Sequence, residues 1–206
     1  MRRNYNLEII RMISCFFVIV IHVTNYFCRA YGEITQSEYL FALLLDTLAR
    51  VSVPCFFMIS GALLLGREEP LKKHRERLLR FLIALVVWSV VYYIWNRAFM
   101  KTEYNLKEIL YVPTEPHLWY LYAMIPIYMV LPFFQVMCKG MSRKLERTLL
   151  VVCGASVVFN YMVSLQNGEA YYDLPLVGDK VYMFYIFIGY FTVSYTHLTL
   201  PTICSV

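Results

Sequence analysis

Two ionisable side chains, Arg11 and His22, lie within the first apolar stretch of the chain, residues 7–27. Ionisable groups are costly inside a bilayer, so they usually mark a functional site. Eleven residues make about three helical turns, which places both side chains on one face, about 16 Å apart along the axis. An imidazole placed there is suited to proton transfer. The alternative from spacing alone is that Arg11 reaches the headgroups and His22 bonds a neighbouring helix.

A second pair of charges, Asp46 and Arg50, lies in the next apolar stretch, residues 40–66. Their i,i+4 spacing allows them to pair on one helix face. Asp46 lies about six residues into its stretch and His22 about five residues before the end of its own, so antiparallel helices would hold them at similar depth. If the helices are neighbours, His22, Asp46 and Arg50 form one cluster. The alternative is that Asp46 and Arg50 only neutralise each other.

The composition identifies the elements that must position these residues. Of 206 residues, 60% are hydrophobic and only 16% are charged, and the mean hydropathy is +0.55. The apolar residues form long blocks, each near the length that spans a bilayer. The blocks are residues 7–27, 40–66, 79–95, 118–138, 149–165 and 181 onward. The sequence therefore predicts an all-α, polytopic transmembrane bundle.

The positive charges predict the orientation, because cytoplasmic loops carry an excess of Lys and Arg. One set of alternate loops and helix ends holds Arg2, Arg3, Arg11, Arg67, Lys72, Lys73, Arg75, Arg77, Arg80, Lys139, Arg143, Lys144 and Arg147. The opposite set holds Arg29, Arg97, Lys101, Lys107 and Lys180. We therefore expect a cytoplasmic N-terminus, and we interpret the net charge of +5 as a topology signal with no nucleic-acid signature.

Four motifs resemble one family. Arg50-Val-Ser-Val-Pro-Cys-Phe-Phe-Met-Ile-Ser-Gly61 resembles the Pro-x-Phe-Phe-x-x-Ser-Gly signature of the membrane acyltransferase 3 family. Glu8-Ile-Ile-Arg11 followed by His22 resembles its acidic-x-x-Arg, ten residues, His pattern, with Glu8 where the family usually has Asp. Arg77-Leu-Leu-Arg80 resembles its Arg-x-x-Arg element, and His117-Leu-Trp-Tyr-Leu121 resembles the start of its fourth helix. Within the family, the sequences of these motifs are most similar to those of surface-polysaccharide O-acetyltransferases of the enterobacterial common antigen type.

The resemblance implies transfer of an acyl group, usually acetyl from cytoplasmic acetyl-CoA, to a hydroxyl of a glycan or lipid-linked sugar. His22 would be the base, or would carry the acyl group itself, while Arg11 would guide the donor toward it. Asp46 and Arg50 complete the catalytic set. The cations Lys72, Lys73, Arg75, Arg77 and Arg80 would clamp the phosphates of coenzyme A. The alternative for these five cations is that they only mark the cytoplasmic side of the membrane or contact anionic lipid headgroups.

Three further residues are candidates for the acceptor site. His117 and Trp119 lie at the external end of the fourth helix, where aromatic residues also form interfacial belts. Ser60 is the third candidate, although Ser60 and Gly61 also fit close helix packing. We further expect Pro54 to kink the second helix.

No metal site and no disulfide framework are expected, because the six Cys form no metal-binding spacing. His74, in a basic loop, is expected to be solvated. The main alternative function is a transporter or flippase for an amino acid or a glycolipid, since intramembrane charges also line transport pathways.

Residues 193–202 resemble the in-frame translation of a transposase sequencing adapter. We therefore interpret residues 192–206 as non-native and expect His197 and Cys204 to have no role. Residues 1–191 would be the N-terminal part of a membrane acyltransferase domain, with six helices of the roughly ten that the resemblance implies. Such a fragment is expected to be inactive. The resemblance and the topology together predict a bacterial inner-membrane protein.

Overall fold

The computed structural model describes residues 5–67, 69–100, 112–166 and 181–203, with side chains up to residue 194. Every regular element in these ranges is helical, which confirms the predicted all-α class. The helices are α1 (Tyr5–Arg29), α2 (Gln36–Ala49), α3 (Ser52–Leu64), α4 (Leu71–Trp95), α5 (Trp119–Gly140), α6 (Arg143–Leu165) and α7 (Tyr182–Ile203). Arg2, Arg3, Lys101, Lys107 and Lys180, counted for the topology, lie outside the described residues, as do Cys204 and the side chain of His197.

Five helical segments of the described chain are long and apolar enough to cross a membrane. They are Tyr5–Arg29, Gln36–Leu64, Leu71–Met100, Pro116–Gly140 and Arg143–Leu165. The apolar part of α7, Tyr182–Ser194, is shorter. The predicted multi-pass helical architecture is therefore confirmed, with each sequence block represented by one helix or, in the second block, by α2 and α3 together.

The second span is interrupted just before Pro54. α2 ends at Ala49 and α3 begins at Ser52, so Pro54 lies in the first turn of α3. A proline inside a helix offers no N–H and its ring clashes with the carbonyl four residues earlier, which here belongs to Arg50. The predicted kink is thus a break between α2 and α3, and it lies directly after the Asp46–Arg50 turn.

The chain divides into two compact units, residues 1–66 with 138–206 and residues 67–137. In the first unit, α1 packs against α2 and α3, and α3 packs against α7. A Cβ on Gly61 would overlap the carbonyl oxygen of Ile186, and a Cβ on Gly189 would overlap that of Met58. The α3 and α7 backbones therefore meet directly, and two glycines make this approach possible.

The second unit contains α4 and most of α5. The rings of Phe81 and Tyr128 pack with centroids 4.7 Å apart. His74 is only 5% exposed, and it belongs to α4 rather than to a loop. Its spacing of seven and fifteen residues from Phe81 and buried Ser89 places it on the inward face of that helix. The expectation that His74 is solvated was wrong.

Candidate functional site

Asp46 is the centre of a buried polar cluster in the first unit. Its side chain is 6% exposed. The Nε of Arg50 donates to Oδ2 over 2.7 Å, and the hydroxyl of Thr24 lies 3.2 Å from Oδ1. Each carboxylate oxygen thus has a donor, one from the next turn of the chain and one from α1.

Thr24 fixes the depth of Asp46 relative to α1. Its single hydroxyl proton has three acceptors within reach, since the carbonyl oxygens of Val20 and Ile21 lie at 2.9 and 3.2 Å. Thr24 therefore divides its bonding between its own helix and Asp46. Because Thr24 and His22 are two residues apart, Asp46 lies within about 3 Å of the level of His22 along α1.

His22 is half-buried on α1, on a different face from Thr24. Two residues correspond to about 200° around a helix, so the face that Thr24 presents to Asp46 does not carry His22. Arg11, eleven residues earlier, shares the face of His22 and pairs with Glu8 over 3.4 Å. The structure thus joins Asp46 to Arg50 and holds His22 at the same level. The catalytic role of His22 stays a prediction.

Sequence reasoning missed Thr24 as a partner of Asp46. The signal was present, because Thr24 is a polar residue near the end of an apolar run, at the depth expected for Asp46. The Asp46–Arg50 contact could be predicted since it lies within one helical turn. A contact between helices depends on the rotation of each helix, which the spacing of two separate stretches does not specify.

The basic end of α4 is the second candidate region, and it contains one enclosed ion pair. The two terminal nitrogens of Arg77 lie 2.6 Å from Oε2 and 2.9 Å from Oε1 of Glu69. Arg67 adds a contact of 3.7 Å. The side chains of Glu69 and Arg77 are only 10% and 23% exposed. The contact between Nη2 and Oε1 is a hydrogen bond, whereas Nη1 and Oε2 lie at ion-pair distance and have no hydrogen-bond partner among the described residues.

The charge state of Glu69 follows from these contacts. The hydrogen bond from Arg77 lowers the pKa of the carboxyl, and the positive charges of Arg77, Arg67 and Lys73 add to this effect against the opposing effect of burial. The carboxylate is thus ionised at neutral pH. Four other cations predicted to bind the donor are exposed, namely Lys72, Lys73, Arg75 and Arg80.

The candidate acceptor residue His117 lies beside the opposite end of α4. His117 is exposed and its ring meets that of Tyr92 edge-on, with centroids 4.9 Å apart. Buried Asn96 donates to Glu115 over 2.9 Å, a contact that no local spacing could have indicated. Nineteen residues of helix from Arg77 to Asn96 span about 29 Å, close to the thickness of a hydrocarbon core. The two ends of α4 therefore fit opposite membrane surfaces.

Two further acceptor candidates lie in different settings. Trp119 is half-buried and its ring packs edge-on against that of Tyr120 at 6.0 Å. The Ser60 hydroxyl donates to the carbonyl oxygen of Phe56 over 2.9 Å, within its own helix. No group of three or more His, Cys, Asp or Glu residues that could hold a metal ion occurs in the described ranges.

A family model described as an acyltransferase domain matches residues 4–202. No curated protein and no solved structure matches the chain.

Proposed function

The chain belongs to this acyltransferase domain family, and from that premise we propose that it transfers an acetyl group from cytoplasmic acetyl-CoA to a hydroxyl of a surface glycan or lipid-linked sugar. Family membership and five apolar helices make it a multi-pass membrane acyltransferase. The narrower likeness to O-acetyltransferases of the enterobacterial common antigen type is part of the proposal. So are its location in a bacterial inner membrane and its cytoplasmic N-terminus, which the distribution of Lys and Arg supports.

The observation that carries the proposal is the buried carboxylate of Asp46 at the level of His22. An ion pair and an imidazole within membrane-spanning helices are costly, so they usually mark a functional site. Acyl transfer to a hydroxyl needs such groups, because the hydroxyl must lose its proton as it attacks the thioester.

In the proposed reaction, His22 accepts the proton of the acceptor hydroxyl while the hydroxyl oxygen bonds to the carbonyl carbon of the thioester. The carbon–sulfur bond then breaks, and the thiolate of coenzyme A leaves with the proton that His22 returns. In the alternative, the acyl group first moves to His22 itself. Arg11, on the same helix face, guides the donor from the cytoplasmic end of α1.

Asp46 and Arg50 contribute electrostatics to this reaction. Arg50 contacts Asp46 through Nε, and its side chain is 67% exposed. In the proposal, its exposed terminal nitrogens stabilise the negative oxygen that develops on the attacked carbonyl. Because His22 and Thr24 lie on different faces of α1, the acyl group must reach around α1 to contact both His22 and Arg50. Asp46 holds the guanidinium in position.

Donor and acceptor have separate candidate residues. The exposed cations Lys72, Lys73, Arg75 and Arg80 would bind the phosphates of the donor, and Arg77 lies on the same helix. His117 and Trp119 would contact the acceptor sugar at the other end of the membrane span, and Ser60 is the further acceptor candidate on α3. Membrane lipid surrounds the apolar faces.

The test is the transfer of radioactive acetyl from acetyl-CoA into glycan, in membranes that contain the protein expressed from its genomic gene. We expect label in the glycan fraction that mild alkali releases, because O-acetyl esters are alkali-labile. Membranes without the gene are the control. Label that appears only in alkali-stable products, or no label above the control, would contradict the proposal. Substrate flux that persists without coenzyme A would then indicate the transporter alternative.

A further inference from the structure

We propose that Arg77 and Arg80, the two arginines of the Arg-x-x-Arg element, have different roles. Arg77 is a positioning residue that Glu69 holds, and Arg80 contacts the phosphates of the donor. The role of Arg80 rests on the proposed function, whereas the role of Arg77 rests on the geometry of its ion pair.

The first step is that Arg77 is already occupied. Its two terminal nitrogens approach the two oxygens of Glu69 at 2.6 and 2.9 Å. The shorter contact is an ion pair without hydrogen-bond geometry, and the longer one is a hydrogen bond from Nη2 to Oε1. A guanidinium contacts a carboxylate or a phosphate along the same edge. Glu69 therefore fills the position that a donor phosphate would need.

The second step is that Glu69 is not easily displaced. Its side chain is largely enclosed, and Arg67 approaches the same carboxylate at 3.7 Å. A phosphate that bound Arg77 in place of Glu69 would leave this enclosed carboxylate without its main partner, which is strongly unfavourable. The lowered pKa of Glu69 agrees, because the group stays ionised at neutral pH.

The third step is that the pair orders the start of α4. Glu69 precedes Pro70 and the first residue of the helix, Leu71, while Arg77 lies in its second turn. Their contact ties the preceding segment to the helix. It therefore fixes the first turn, which carries Lys72 and Lys73.

Arg80 has the opposite properties. It is exposed, and it forms no ion pair with the part of the chain that the structure describes. The spacing of Lys73, Arg77 and Arg80 is i, i+4 and i+7, so the three lie on one helix face. Arg80 and Lys73 can thus present charge on both sides of the enclosed Arg77.

The experiment uses four variants of the protein from its genomic gene, in lipid nanodiscs: Glu69→Gln, Arg77→Gln, Arg80→Gln and the exchange of Glu69→Arg with Arg77→Glu. For each variant, thermal unfolding is measured together with the binding of coenzyme A and of dephospho-coenzyme A. We expect Glu69→Gln and Arg77→Gln to lower Tm and the exchange to recover most of the loss. Arg80→Gln, the matched control, should keep Tm and weaken coenzyme A binding about tenfold.

The opposite pattern would overturn the inference. If Arg77 were a phosphate ligand that Glu69 blocks, Glu69→Gln would tighten coenzyme A binding, and Arg77→Gln would weaken it as much as Arg80→Gln with Tm unchanged. Failure of the wild type to bind coenzyme A would contradict the proposed function and the role of Arg80. The Tm of the exchange variant would still decide the role of Arg77.

Discussion

Arg50 in the first unit and Arg77 in the second are both paired with a carboxylate, but the pairs differ in which partner is enclosed. Asp46 is buried, while Arg50 is 67% exposed and, among the described residues, is held through its Nε. Arg77 is 23% exposed, donates a hydrogen bond to Glu69 through one terminal nitrogen and approaches it with the other at ion-pair distance. The first arrangement leaves a cation available to a ligand, and the second arrangement uses the cation to hold the chain.

The comparison also shows why a motif does not assign a role to each of its residues. Arg77 and Arg80 belong to one Arg-x-x-Arg element, yet only Arg77 has an acidic partner in the described chain. Availability of the guanidinium depends on a residue outside the motif, Glu69, which lies eight positions earlier.

The largest effect is expected from Asp46→Asn, which removes the charge that holds Arg50. The remaining partner, Arg50, is 67% exposed, so the loss is that of a hydrogen bond between charged groups, about 1.5–3 kcal/mol, and we expect acetyl transfer to fall about 100-fold or more. Transfer of labelled acetyl and thermal unfolding measure the two effects. Thr24→Val, which removes the weaker contact with Asp46, should cost only about 1 kcal/mol.

The double variant Asp46→Asn with Arg50→Gln sharpens this prediction. If the pair only neutralises two charges, the double variant regains stability and activity. If Arg50 acts on the reacting carbonyl, the double variant regains stability but not activity. Full activity in the double variant would remove Arg50 from the chemistry.

A smaller effect, confined to packing in the first unit, is expected from Gly61→Ala. The added Cβ would overlap the carbonyl oxygen of Ile186, so α3 and α7 must separate at a cost of about 1–3 kcal/mol. Gly154→Ala is the matched control on a membrane helix, because its Cβ would meet a ring atom of Phe184 at an ordinary 3.5 Å. Equal unfolding temperatures for the two variants would contradict the close α3–α7 contact.

The smallest effect concerns pH and the second unit. The pKa of Glu69 lies below its usual value of 4.5, so its pair adds stability above that value and loses it as the pH falls through the lowered pKa. The difference in Tm between wild type and Glu69→Gln should therefore be constant near neutral pH and shrink in acid. A difference that grows as the pH falls would contradict the ion pair.

More of the fold than of the candidate site could be predicted from the sequence. Long apolar blocks need only length and composition to indicate spanning helices, and Pro54 indicated the interruption of the second block. His74 was misjudged because the basic run was interpreted as a loop, whereas α4 begins at Leu71 and turns His74 inward.

Within the site, the predictable contact was the local one. Asp46 and Arg50 are one turn apart, so helical geometry alone brings them together. Thr24 reaches Asp46 from another helix, and Glu69 reaches Arg77 from the segment before α4. Both contacts depend on how separate segments pack, which residue spacing does not encode.

The central claim is that His22 performs the proton transfer or carries the acyl group. The most direct test is acetyl transfer from radioactive acetyl-CoA into glycan by the protein from its genomic gene, compared with its His22→Ala variant at matched membrane level and equal Tm. We predict that label appears with the wild type and falls about 100-fold or more in the variant. Equal label in both would contradict the account and remove His22 from the reaction.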